Sequence, residues 1–176
     1  MSDVVTRVQG IAARFRATRD EQLTRDLALV VVRVALVWIF IYHGASTLFG
    51  AFHGGGIHGE AVYFSNTVHL HPGTFFAVLD GSIQFFGAIG IGLGVLGRLA
   101  ALSIAGDMIM AMITVTFAQG LVGVVGGVGY QLNLALAVLA LVVAFLGTGR
   151  FSLDAWIEGS IERRRGRVTP STSPSQ

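Results

Sequence analysis

The sequence predicts an all-α fold, a four-helix transmembrane bundle with both termini cytoplasmic. Three observations predict it. Of the 176 residues, 53% are apolar and only 12% are charged, against about 25% charged in a soluble domain. Four apolar segments occur, at about 27–48, 74–96, 99–121 and 131–146. The 12 basic residues are all Arg, and apart from Arg33 they lie before the first segment, between the second and third, or after the fourth.

Residues 3–18 read as an amphipathic helix, with Val4, Val8, Ile11 and Phe15 on one face. Attachment along a membrane surface and a solvated helical tail both stay open for it. It lacks the continuous apolar core and cleavage site of a signal peptide.

The apolar segments are read as helices, because backbone groups in lipid must be satisfied within the segment. Crossing the hydrocarbon takes about 20 residues. The first three segments meet that length, and the fourth needs its edges to extend into the interface. The expected organisation is an N-terminal segment over 1–26, a membrane domain over 27–149 and a C-terminal segment over 150–176 with a disordered tail.

Orientation follows from the Arg residues. Arg7, Arg14, Arg16, Arg19 and Arg25 precede the first span, Arg98 sits between the second and third, and Arg150, Arg163, Arg164, Arg165 and Arg167 follow the fourth. Segments 50–73 and 122–130 hold no Arg. Four spans with both termini inside place every loop and tail Arg on the cytoplasmic side of a multi-pass cell-membrane protein. The pI near 9.7 is then an orientation signal, and no nucleic-acid partner is expected. The chain has no Cys, which excludes disulfide frameworks, thiolate metal sites and CxxC redox chemistry.

The second and third spans form a tight hairpin around Gly97-Arg98. The outer loop 50–73 carries His53, His58, Glu60, His69 and His71. His69 and His71 are weak metal candidates, because their spacing matches no strong ligand signature. Residues 120–129 are Gly-rich and read as a re-entrant or collapsed loop over the outer mouth. Gly92-Leu93-Gly94-Val95-Leu96-Gly97 matches GxGxxG, but a dinucleotide site needs a strand before it and a helix after it. The pairs Gly90/Gly94 and Ala88/Gly92 are read instead as helix-packing positions.

Polar groups inside the spans are costly and should face the bundle interior with partners. They are Arg33, His43, Asp80, Gln84 and Asp107. Depths counted at about 1.5 Å per residue predict two layers. The inner layer is an Arg33–Asp107 ion pair. The outer layer is His43 with Asp80, helped by Gln84 one turn along the same helix face. The outer set suits a proton or quinone site, since a carboxylate can orient an imidazole for proton relay. A purely structural role in fixing helix register is the alternative for both layers.

With these residues in hand, the chain resembles the DoxX family of membrane proteins. Arg33, His43-Gly44 and Leu48-Phe49-Gly50 match its first-span pattern, and Gly97-Arg98-Leu99-Ala100-Ala101 its hairpin. Gly129-Tyr130-Gln131-Leu132-Asn133 and Gly149-Arg150-Phe151-Ser152-Leu153-Asp154-Ala155 match its later segments. Thr47 stands where the family usually carries Lys, and Gln84 and Gln131 stand where it often carries Glu. The resemblance implies a four-helix membrane bundle and an association with redox systems, including quinone-linked oxidoreductases and oxidative-stress complexes.

Three roles stay open. The first is a membrane subunit of a quinone-linked oxidoreductase, with His43 and Asp80 at the head group and a partner subunit carrying the redox centre. The second is a small transporter or lipid-handling protein, which needs a water-filled path linking the Arg33 and His43 levels. The third is a scaffold that associates through the Gly90/Gly94 face. No catalytic or cofactor motif lies in the chain itself, and quinone is the candidate cofactor. Lipid, other membrane or redox subunits and a second copy of the chain are the partners considered.

Overall fold

The computed structural model describes residues 2–123, 129–149, 152–154, 156–157 and 160–161, with side chains from Thr18 onward. Five α-helices carry the chain: α1 (Ser2–Phe49), α2 (Gly56–Asn66), α3 (Gly73–Leu93), α4 (Gly97–Ala111) and α5 (Gln131–Leu146). No strand occurs among the described residues. Three helical segments are long and apolar enough to cross a bilayer, Thr18–Phe49, Gly73–Leu93 and Gly97–Gln119, and α5 is a shorter apolar helix.

Helix α1 runs without a break from the N-terminal segment into the first apolar segment, through positions 26 and 27. The stretch from Glu21 to Ala35 contains neither Gly nor Pro, so nothing ends the helix there. The expected tail lies outside the described residues beyond Ile161. The outer loop also gains structure: a 3-10 turn at Ala51–His53 is followed by α2. The end of the third span is not simple α-helix either. After Ala111 it widens into a π-helical turn at Met112–Thr116 and closes as a 3-10 turn at Phe117–Gln119.

Helix α3 is central, packing against α1 on one side and α4 on the other, with α5 completing the bundle against α4. The α1–α3 approach is set by Gly44. A Cβ there would lie 2.5 Å from the Phe85 backbone nitrogen, so any side chain would push the two helices apart. The shared core comprises Leu36 and Phe40 from α1, Ile91 from α3, Ile104 from α4 and Val143 from α5, all fully buried. The many exposed apolar side chains, among them Val34, Phe86, Leu102 and Phe145, suit a surface solvated by lipid rather than water.

The hairpin face is built from helix ends satisfying one another. Gly94 closes α3 at φ +68°, a left-handed conformation that glycine adopts at low cost. Leu96 also sits at positive φ, +48°, and its backbone N–H donates to Asp154 Oδ1 at 3.3 Å. The Gly97 N–H donates to Asp154 Oδ2 at 3.4 Å, so this carboxylate meets two of the orphan donors that begin α4. The Asp154 N–H in turn donates to the Gly94 carbonyl at 3.1 Å. At the opposite face the Gly-rich loop folds onto its own base, with Tyr130 N–H donating to Gly120 O and Gln131 N–H to Leu121 O. Residues 124–128 lie outside the described set.

Candidate functional site

The polar residues of the spans sort into two groups, but not the two that depth counting predicts. The Arg33–Asp107 ion pair is not formed. Arg33 is buried and spreads its guanidinium over carbonyls: Nε donates to Ile91 O at 2.9 Å, Nη2 to Gly92 O at 2.7 Å and Nη1 to Thr148 O at 2.7 Å. These are acceptors at the ends of α3 and α5, where carbonyls lack intrahelical partners and a cation complements the helix dipole. Arg25 assists, its Nη2 donating to Leu146 O at 3.0 Å. The count placed Arg33 by its backbone. Its long side chain instead reaches back toward the α1 N-terminus, to the level of the hairpin.

Asp107 joins the other group. Gln84 Nε2 donates to Asp80 Oδ1 at 2.8 Å and to Asp107 Oδ2 at 3.1 Å, so one amide bridges two carboxyls on neighbouring helices. Gln84 lies eight residues before Gly92, about 12 Å along the axis, which separates this cluster from the Arg33 guanidinium. A sequence signal for the pairing existed. Gln84 and Asp107 stand at equal distances from the hairpin apex at Val95–Leu96, and so do Gly87 and Ile104, which meet in the core. Antiparallel helices joined by a tight turn bring such residues to one level.

The cluster opens into a cavity of about 470 Å³ between α1, α2, α3 and α4. His43 and Thr47 face it from α1, Glu60 and Tyr63 from α2, and the π-helical turn borders it at Thr114 and Val115. The size falls in the range of ligand pockets, about 300–1,000 Å³. π-Helical turns recur at functional sites. His43 and Asp80 share the cavity without a direct hydrogen bond. His43 is exposed rather than enclosed in the bundle interior, and its ring stands edge-on to Tyr42, with centroids 5.7 Å apart. Glu60 and Tyr63, on a helix that sequence reading treats as loop, are among the wall residues it did not place at the site.

A second, apolar groove of about 590 Å³ runs along α1 from Val30 to Tyr42, lined by Trp38 and Phe52 among others. It contains Trp38 but not His43, which lines the other cavity. The Gly90/Gly94 face is covered from within the chain. A Cβ at Gly90 would meet Ala100 Cβ at 2.9 Å, and one at Gly94 would meet Ser152 Cβ at 2.4 Å. Both positions therefore pack against neighbours within the chain. His69 and His71 stand exposed between α2 and α3. No group of three His, Cys, Asp or Glu suited to a metal ion occurs among the described residues.

Fold and site together define an all-α membrane protein with an acidic, amide-bridged cluster inside its bundle. The DoxX family model matches residues 28–117, and the chain belongs to that family. The matched region spans α1 from Ala28, α2, α3 and the third span through Phe117, and so holds every wall of the cavity. No curated protein and no solved structure matches the chain.

Proposed function

We propose that this DoxX protein is the membrane subunit of a quinone-linked oxidoreductase and holds a quinone head group in the cavity of His43, Asp80, Gln84 and Asp107. A partner subunit carries the redox centre. The observation that supports this reading most is the Gln84 amide bridging Asp80 and Asp107 beside an open cavity. Ionisable groups at membrane depth are costly and mark functional sites when they line a cavity. Quinone carbonyl oxygens accept hydrogen bonds, for which His43, Thr47 and Tyr63 offer donors. Quinol hydroxyls donate them, for which the two carboxylates offer acceptors. Phe64, Phe76 and Ile83 supply apolar wall for the ring. The orientation that puts the hairpin face in the cytoplasm is part of this proposal and rests on the placement of the Arg residues.

Transport across the bilayer has less support. Between the cavity and Arg33, the positions Leu36, Phe40, Ile91, Ile104 and Val143 fill the bundle with fully buried apolar side chains. The test is binding of a short-tail quinone to the purified protein, read as a thermal shift. The wild type should shift upward, while Asp80→Asn and His43→Ala should reduce the shift. A wild type without any shift would overturn the proposal.

A further inference from the structure

The cavity has an apolar edge in the middle of two spans. Successive helical residues turn by about 100° around the axis. Going round α4 from its outer face, the order is Leu102 and Ile113, then Gly106 and Met110, then Asp107. Leu102 and Ile113 are exposed and lie outside the cavity. Gly106 and Met110 are exposed and line it, and Asp107 accepts from Gln84 within it. Helix α3 repeats this order with Phe86 exposed outside, Leu79 exposed on the cavity wall, and then Ile83 and Asp80. Ile83 and Gly106 stand near the middle of the spans Gly73–Leu93 and Gly97–Gln119, so the surface next to this edge is the one solvated by lipid tails. Helix α2 packs against α3 and α1 rather than α4, which leaves the α4 edge uncovered by it. A Cβ added at Gly106 would meet nothing within 4 Å.

We propose that the cavity has a lateral portal at Gly106, through which a lipid-soluble ligand with a polar head group and an apolar tail enters from the bilayer. The head group reaches the Asp80–Gln84–Asp107 cluster. The tail lies along Leu79, Ile83 and Met110, with its far end among the lipid tails. Ligand pockets combine mostly apolar walls with a few polar groups that fix orientation. Here the polar groups stand inside and the apolar rim faces lipid, which is the arrangement an amphiphile matches. Glycine at 106 keeps the mouth clear, since any large side chain there would project into it. The proposal deepens the quinone-site reading above by assigning the entry route and the place of the tail. Its main test uses no quinone, so the two can fail separately.

The Cys-free sequence allows a single reporter thiol. Ala111→Cys places it on the cavity wall, further round α4 from the outer face than Asp107. The full chain in phosphatidylcholine vesicles is treated with a bilayer-partitioned alkyl maleimide and, separately, with a charged membrane-impermeant maleimide. The alkyl reagent should label the thiol faster. Adding Gly106→Trp should slow that labelling about tenfold or more, because entry then waits for a side chain to move aside. Gly106→Ala should leave the rate unchanged, since its methyl group meets no neighbour. An alkyl-reagent rate untouched by Gly106→Trp would overturn the portal. So would equal or faster labelling by the charged reagent, a comparison that needs no substitution at Gly106. In a thermal-shift series, Gly106→Trp should abolish the response to a long-tail quinone and keep the response to a tailless one. Labelling as expected without any quinone response would overturn the quinone reading alone.

Discussion

Gln84 donates to Asp107 at 3.1 Å across the α3–α4 interface, and this contact fixes the register of the hairpin at membrane depth. The same nitrogen donates to Asp80 at 2.8 Å. Two carboxyls meeting inside an apolar bundle repel when both are charged. A neutral amide donor between them converts a repulsive approach into a bridged one.

Replacing Gln84 with Leu removes both bonds and leaves two partly buried carboxyls without their donor. An unsatisfied buried polar group costs about 1–3 kcal/mol. Thermal unfolding in detergent at neutral pH should therefore show a lower midpoint for Gln84→Leu than for the wild type. Gln84→Glu should lower it further, because it adds a third acidic group to the cluster. Unchanged midpoints in both variants would remove the bridge from the account of stability.

The Arg33 fan gives a second expectation. Lys keeps the charge but presents a single ammonium, which cannot reproduce the planar spread over Ile91, Gly92 and Thr148. Hydrogen bonds involving a charged group are worth about 1.5–3 kcal/mol each. Arg33→Lys should destabilise the protein measurably, and Arg33→Met should do so more strongly. Hydrogen exchange should show the loss first at the ends of α3 and α5.

Asp154 holds the start of α4 from outside the bundle. Losing a helix cap costs about 0.5–2 kcal/mol. Asp154→Ala should raise amide exchange at Leu96 and Gly97, the residues whose N–H groups it accepts. Exchange in the Gln84 region should stay unchanged, because the buried core lies between.

Gly44 and Gly106 form a matched pair of tests. A Cβ at Gly44 would collide with the Phe85 backbone, whereas one at Gly106 meets nothing within 4 Å. Overpacking costs about 1–3 kcal/mol or more, and Gly44→Ala should lower the unfolding midpoint accordingly. Gly106→Ala should hold or raise it, by up to about 1 kcal/mol from helix propensity. The opposite order would contradict the α1–α3 approach described above.

The sequence by itself determined the all-α membrane class, the four apolar segments and which polar residues fall within them, of which Arg33 and Gln84 are buried. Composition and the length of apolar runs are local properties, and lipid leaves the backbone few alternatives to a helix. It also carried the α5 boundaries, Gln131–Leu146, which match expectation, because Gly129 and Gly147 interrupt the apolar run on either side. Tertiary structure decided which polar residues meet. Arg33 and Asp107 looked alike in depth, but a side chain's reach is not its backbone position, and helix-end carbonyls offered Arg33 closer acceptors than a carboxylate. Tertiary structure also brought Glu60 to the cavity. A short helix among glycines gives no strong local signal, and only its packing against α3 and α1 makes it a wall of the site.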